Sequence, residues 1–173
     1  YDEAIEYYEK SNDLDANPAL LSRIAGCYMQ LSLYDMALDY IERAISMNPE
    51  DDDYISQKAT ALSGLGRLDE CIAERTRYVE RNPEMPLAYL SRADDMMLAG
   101  HFQEAIDDYN TIVVLSPALE EFPYLLMKRG DAYRLTGKVN KARKDYEAIL
   151  RIEKDSVMKS GLWTPFAHSG LGN

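Results

Sequence analysis

The apolar residues of this chain recur every three or four positions, which is the spacing of helices that bury one face. Residues 18–49 contain two such apolar stripes, separated by a turn at residues 32–34. Pro18 suits a helix start, where its missing N–H removes no hydrogen bond, and Asn48 and Pro49 stop the second helix. The pattern therefore predicts a pair of antiparallel helices in this segment.

The helix pair recurs along the chain with a period close to 34 residues. A short motif of a loop residue, two mostly polar residues and a small residue opens each second helix, and it begins at Tyr1, Tyr34, Leu68, Phe102 and Val139. Successive motifs are 33, 34, 34 and 37 residues apart. Because a unit of this length cannot bury its apolar face alone, the copies are expected to stack in an elongated array. Such an array favours binding over chemistry.

Two sets of small residues refine the prediction. A glycine stands in the turn between paired helices, where a left-handed conformation is expected, at Gly66, Gly100, Gly137 and Gly172. A second set marks the places where paired helices are expected to cross closely, at Ala25, Ala59, Ala93 and Gly130. The 37-residue step comes from extra residues at 118–122, which predict a longer connector.

The last predicted helix is less regular than the others. Pro165 would break a helix that began near Met158, so a start near Thr164 is expected, with Thr164 as the N-cap. Trp163 then lies in the connector and is expected to pack as a hydrophobic anchor.

Composition and charge narrow the class of protein. The 46% apolar and 28% charged residues are typical of a folded, soluble chain, and no run of about 18 apolar residues predicts a membrane span. The net charge of −11 argues against a general affinity for nucleic acid or anionic membranes. Residues 1–127 carry a balance of −16 and residues 128–173 one of +5. This difference reflects either solvated outer helix faces or a polarity that selects partners.

The two cysteines, Cys27 and Cys71, have no metal-ligand spacing. Cys71 takes the small-residue position that Ala37, Ala105 and Ala142 fill in other copies, which predicts a buried thiol. Because a disulfide framework requires more cysteines, a reducing compartment such as the cytoplasm is slightly favoured.

These features resemble the tetratricopeptide repeat (TPR) family. The residues that carry the resemblance are the opening run Tyr1 to Tyr8, then Tyr89, Ala93 and Met96 in one first helix, and Ala105, Tyr109, Pro117, Ala142 and Tyr146 in second halves. Two kinds of position depart from the family pattern. Where the family favours leucine, this chain has Lys58, Arg92 and Arg129, and where it favours proline, this chain has Lys154. The resemblance implies an all-α, right-handed superhelical solenoid of antiparallel helix pairs with about ten helices.

The repeat register predicts a single array over the whole chain. The expected parts are a second helix at 1–17, repeats at 18–51, 52–85, 86–122 and 123–157, and a first helix at 158–173. Since both ends fall inside turns, we expect the chain to be a slice of a longer repeat protein. Its uncapped ends could then stack on those of neighbouring copies, as in a filament.

The resemblance also implies a site, because the family binds extended peptides in a concave groove lined by first helices. Projected onto this chain, the groove residues are Met29, Thr60, Leu90, Asp94, Met97, Tyr124, Met127, Asp131 and Arg134. Asp94 and Asp131 occupy equivalent places and could take a basic side chain of a peptide. The alternative is that these are ordinary solvent-facing positions. The carboxylate clamp of some co-chaperone members is not supported, since its positions here include Ser22, Ser56 and Leu87.

Catalytic motifs are absent from the sequence. The histidines, His101 and His168, lie apart from the cysteines, and a Cys71–His101 pair is disfavoured because the thiol position should be buried. The glycines are isolated turn residues, and the acidic run at 50–53 lacks the frame of a calcium loop. No catalytic residue, cofactor or metal is therefore predicted.

The predicted function is a protein–protein interaction scaffold that binds a peptide or protein segment, without catalysis and without nucleic acid. The alternative is a regulatory or substrate-recruiting arm of a larger enzyme, such as a transferase or a signalling kinase.

Overall fold

The computed structural model describes residues 1–14, 17–155 and 162–172, which form ten α-helices and one short 3₁₀ turn. No β-strand occurs within these ranges. The chain divides into two compact units, Tyr1–Asn82 and Pro83–Asn173. The predicted all-α class, with helices in antiparallel pairs, is confirmed.

The first unit contains five helices, which pack in chain order. They are α1 (Asp2–Leu14), α2 (Pro18–Gln30), α3 (Tyr34–Met47), α4 (Asp52–Gly64) and α5 (Leu68–Arg81). Side-chain caps hold two of the starts: Asn17 accepts a hydrogen bond of 2.8 Å from the backbone N–H of Ala19, and Asp51 accepts one of 3.0 Å from that of Asp53. Cys71 is fully buried in the core of this unit, as predicted.

The second unit contains the remaining elements. They are α6 (Pro86–Ala99), α7 (Phe102–Leu115), a 3₁₀ turn (Pro117–Leu119), α8 (Pro123–Leu135), α9 (Val139–Asp155) and α10 (Thr164–Leu171). Consecutive helices pack against one another, and α10 also contacts α8. The predicted helix starts at Pro86 and Pro123 are confirmed. The extra residues at 118–122 form the 3₁₀ turn and the bend that follows it.

The turns inside the helix pairs follow the predicted geometry. All four turn glycines have positive φ, between 72° and 84°. The backbone N–H that follows each of the first three turn glycines donates a hydrogen bond of 2.8–2.9 Å to a carbonyl five residues earlier, which closes the helix. The equivalent turn after α2 has Ser32 at φ 59° in place of glycine. The bond from the N–H of Leu33 to the carbonyl of Tyr28, at 2.9 Å, is nevertheless retained.

The predicted close crossings are also confirmed. Ala25, Ala59 and Ala93 are fully buried, and Gly130 is buried at the equivalent place. A Cβ added at Gly130 would lie 2.8 Å from a ring carbon of Tyr146, so this pair of helices is closer together than alanine allows.

Arg92 and Arg129, which depart from the family pattern, each form a largely buried ion pair. Arg92 binds Asp108 and Arg129 binds Asp145, each through two hydrogen bonds of 2.7–2.9 Å. In the first unit, Lys58 lies 3.0 Å from Glu74 at the same place. Each pair joins the first helix of a repeat to its second, so it takes the place of an apolar contact.

The helix start at Thr164 is confirmed, but the predicted capping role of this residue is wrong. Thr164 is the first residue of α10, Trp163 is the N-cap, and no side chain caps the helix. The Thr164 hydroxyl donates to the carboxylate of Glu153, which also accepts the Trp163 N–H at 2.7 Å. Glu153 therefore holds the start of α10 against α9. The part of the predicted last element at 158–161 lies outside the described residues.

Candidate functional site

Two of the predicted groove residues lie in the first unit. Met29, on α2, is half-buried and packs against the core of this unit. Thr60, on α4, is exposed, and its hydroxyl donates to the Ser56 carbonyl at 3.0 Å and accepts a bond of 3.2 Å from Arg75. Neither side chain lines one of the cavities described below.

In the second unit, Asp94 and Tyr124 lie on adjacent first helices and bind each other. The Tyr124 hydroxyl donates to Asp94 at 2.5 Å, and the Tyr109 hydroxyl donates to the same carboxylate at 2.8 Å. The Lys128 ammonium nitrogen lies 3.9 Å from an oxygen of the Asp94 carboxylate. Burial and the Asp94 carboxylate together raise the pKa of both tyrosines above its ordinary value. Asp94 is thus a junction between α6, α7 and α8.

Three other predicted groove residues share one pocket between α8 and α10. Met127, Asp131 and Arg134 follow one another along the same face of α8, at helical spacing. The opposite wall comes from α10, and the pocket has a volume of about 330 Å³. The α10 residues are Phe166, Ser169 and Gly170.

The pocket combines both charges with apolar surface. Asp131 accepts a hydrogen bond of 2.8 Å from the Tyr146 hydroxyl, and the Arg134 guanidinium lies 3.8 Å from the same carboxylate. Burial and this hydrogen bond raise the pKa of Tyr146 to about 12, although the nearby Arg134 opposes the shift. Arg134 and Phe166 remain about half exposed, so they are accessible to a ligand.

The α10 wall of the pocket contains none of the predicted groove residues. Counted back from the turn glycine Gly172, Phe166 occupies the place of Asp131 and Ser169 that of Arg134. The repeat register therefore indicates both residues as groove positions. The irregular start of the helix, at Trp163 and Pro165, obscures this register in the sequence. Trp163 is half-buried and contacts Tyr124 and Phe166, with ring centroids 6.2 Å apart in each pair.

The remaining two predicted residues lie elsewhere on α6. Leu90 lines a separate apolar cavity near the start of this helix, and Met97 is half-buried near its end. The structure thus brings Asp94 together with Tyr124, and Met127 with Asp131 and Arg134. It places Leu90 in a different cavity.

The described residues offer little to other classes of site. Within the described residues, no three His, Cys, Asp or Glu side chains converge as a metal would require. Cys27 and Cys71 form no disulfide with each other, and the burial of Cys71 does not suit a nucleophile. Over the same part of the chain, none of the helices has the length and hydrophobicity needed to cross a membrane.

Comparison with known sequences gives repeat proteins. The tetratricopeptide repeat family model matches residues 1–18, 19–51 and 123–156. The chain is 29% identical over 133 residues to a DnaJ homolog subfamily C member 7 homolog of Dictyostelium discoideum, which covers 75% of this chain and 24% of the relative. It is 26% identical over 165 residues to human tetratricopeptide repeat protein 13, which covers 91% of this chain and 18% of the relative.

Human serine/threonine-protein phosphatase 5 is 27% identical over 93 residues, which are 54% of this chain and 19% of the phosphatase. The chain therefore spans only about a quarter or less of the length of these relatives.

Solved structures with the same fold cover most of the chain. A crystal structure of MamA superposes with a TM-score of 0.78 at 21% identity and covers 88% of both chains. YrrB, a TPR protein with an unusual peptide-binding site, superposes with a TM-score of 0.75 at 19% identity, over 92% of this chain and 81% of its own. At these identities the likeness shows the fold.

Proposed function

The chain belongs to the tetratricopeptide repeat family, and we propose that it binds an extended peptide segment of a protein partner against its first helices. The observation that carries the proposal is the pocket between α8 and α10. It lies between the first helices of successive repeats and contains three residues that the register selects as groove positions: Met127, Asp131 and Arg134.

The composition of this pocket suits a peptide. Arg134 can donate to a backbone carbonyl or a carboxylate, and Asp131 can accept from a backbone N–H beside its bond to Tyr146. Phe166 and Met127 offer adaptable apolar surface to a side chain. YrrB, which shares the fold, has a peptide-binding site, and this supports the same class of ligand here. Of the nine predicted groove residues, Met127, Asp131 and Arg134 form the proposed contact site, and the other six remain predictions.

Binding of peptides to variants of the whole chain tests the proposal. An array of dodecapeptides is probed with the wild-type chain, and the peptides retained are then titrated against Arg134→Ala and Phe166→Ala. The matched controls are Arg143→Ala, on the exposed face of α9, and His168→Ala, which is exposed on α10 outside the pocket. We expect each pocket variant to weaken binding about tenfold and the controls to leave it unchanged, since truncating a central anchor costs 1–2 kcal/mol or more.

The proposal would be contradicted if none of the retained peptides lost affinity for Arg134→Ala or Phe166→Ala.

A second candidate function is a recruiting arm of a larger enzyme. It is favoured by the match between 93 residues of this chain and a segment of phosphatase 5. Sequencing of the complete transcript that encodes this chain tests it. A catalytic domain in the same reading frame is expected under this candidate, and a reading frame with repeats alone would contradict it.

A further inference from the structure

The second unit contains a second cavity, which differs from the groove pocket in chemistry and position. It has a volume of about 350 Å³ and lies near the starts of α6 and α8. Every residue that lines it is apolar: Met85, Pro86, Leu87, Leu90, Ile112, Leu119, Phe122 and Leu125. The groove pocket between α8 and α10 shares none of these residues.

The cavity exists because of the longer connector between α7 and α8. Leu119, at the end of the 3₁₀ turn, and Phe122, just before α8, form one wall. Both belong to the segment 118–122, which contains the extra residues of the 37-residue step. The connections between α3 and α4, at 48–51, and between α5 and α6, at 82–85, are shorter and contain no helical turn.

Part of the cavity lining is open to solvent. Leu87 is 62% exposed, Phe122 44% and Met85 39%. Large apolar side chains grouped around a concavity are a feature of surfaces that bind a partner, whereas single exposed ones are ordinary.

The charge around the cavity indicates which partner would suit it. Glu84 precedes Met85, and Glu121 precedes Phe122, and both glutamates are exposed. Residues 83–127 as a whole contain eight acidic side chains and one basic one. Exposed negative charge next to two lining residues in the chain favours lysine or arginine beside the apolar anchor of a bound segment and disfavours acidic residues.

We propose that this cavity is a second docking site, for a peptide segment in which a bulky apolar side chain is flanked by lysine or arginine. The apolar side chain fills the space between α6, α8 and the connector. The flanking cations lie near Glu84 and Glu121. This site is independent of the groove pocket, so either can fail without the other.

An array of dodecapeptides tests the proposal with the full chain as the probe. Each peptide has a central leucine, methionine, phenylalanine or tryptophan, flanked by lysine, serine or glutamate. Peptides retained on the array are titrated against Leu87→Asp and against Leu98→Asp. Leu98 is the matched control, because it is 68% exposed on the same helix and does not line the cavity. Circular dichroism verifies that both variants fold.

We expect lysine-flanked peptides to be retained, Leu87→Asp to weaken them at least tenfold, and Leu98→Asp to leave them unchanged. In a chain with ¹³C-labelled methionine methyl groups, the Met85 resonance should shift on titration while that of Met127 remains in place. A failure of the groove proposal would not affect this result.

Four outcomes would overturn the inference. They are an array that retains none of these peptides, equal retention of glutamate-flanked peptides, equal affinity for Leu87→Asp and wild type, and a Met127 shift without a Met85 shift. The last of these would support the groove pocket instead. A separate titration with a medium-chain fatty acid distinguishes a lipid ligand: a Met85 shift with the acid and none with any peptide would also overturn the inference.

Discussion

The guanidinium group of Arg92 donates two hydrogen bonds of 2.7 Å to the carboxylate of Asp108, and both side chains are largely buried. The same arrangement recurs 37 residues later between Arg129 and Asp145. A position that is usually apolar in the family is therefore filled here by a charge whose partner lies on the second helix of the repeat.

This pairing predicts an asymmetric response to substitution. Asp108→Ala removes the carboxylate that binds the Arg92 guanidinium and should lower the free energy of unfolding by about 3–5 kcal/mol, because a largely buried charge loses the anion opposite it. The double variant Arg92→Leu with Asp108→Leu should be within about 1–2 kcal/mol of wild type or more stable. Urea denaturation followed by circular dichroism measures both.

The exposed pair between Arg67 and Glu70 is the control for this prediction, since it also forms two hydrogen bonds but lies in solvent. Glu70→Ala should have a much smaller effect than Asp108→Ala. Equal losses from the two substitutions would show that burial is not the cause.

Two glycines inside helices should respond to alanine with opposite signs. A Cβ at Gly130 would meet the ring of Tyr146 at 2.8 Å, whereas one at Gly26, in α2, meets nothing within 4 Å. Gly26→Ala should stabilise the chain by about 0.5–1 kcal/mol through helix propensity. Gly130→Ala should destabilise it by about 1–3 kcal/mol, because Tyr146 must shift.

Thermal unfolding of the two variants provides the measurement. An increase in melting temperature for both would mean that the Tyr146 ring moves aside without cost.

The carboxylate of Glu153 predicts a pH dependence at the start of α10. Burial opposes its ionisation, but the hydrogen bonds from Thr164 and from the backbone at Trp163 prevail and lower its pKa below the usual value of about 4.5. A group with a lowered folded pKa stabilises the fold above its unfolded pKa, and this contribution is lost as the pH falls through the folded value. Acidification below about pH 4.5 should therefore release α10 from α9.

Trp163 is the single tryptophan of the chain, so its fluorescence reports this release directly. In Glu153→Gln the start of α10 should be weakened already at pH 7, by about 1–3 kcal/mol, because the amide replaces the carboxylate as acceptor. The acid transition of the Trp163 signal should then lose amplitude. An unchanged transition in this variant would assign the signal to other carboxylates.

The helices and their turns were predictable because their signals are local. Pro18, Pro86 and Pro123 each open a helix, and the turn glycines each adopt positive φ, through effects within a few residues. The ion pairs were not predictable in the same way. Arg92 and Asp108 are 16 residues apart, and only the crossing of two helices brings them together, so the sequence showed Arg92 as no more than a departure from an apolar position.

The candidate site was predictable on one side only. The repeat register selected Met127, Asp131 and Arg134, which the structure places in one pocket. It also selected Leu90, which instead lines the apolar cavity whose other wall is the connector at 118–122. The length of that connector was evident from the sequence, but the cavity depends on how Leu119 and Phe122 fold back, and this is a tertiary effect.

The most direct test of peptide binding in the groove is a titration of the ¹³C-methionine-labelled chain with a peptide selected on the array. The Met127 methyl resonance should shift in proportion to occupancy when the peptide is one whose binding is weakened by Arg134→Ala, while those of Met36 and Met47, which are exposed outside the proposed groove set, remain in place. A peptide that is weakened by Arg134→Ala and Phe166→Ala and yet leaves the Met127 resonance unchanged on binding would contradict groove binding.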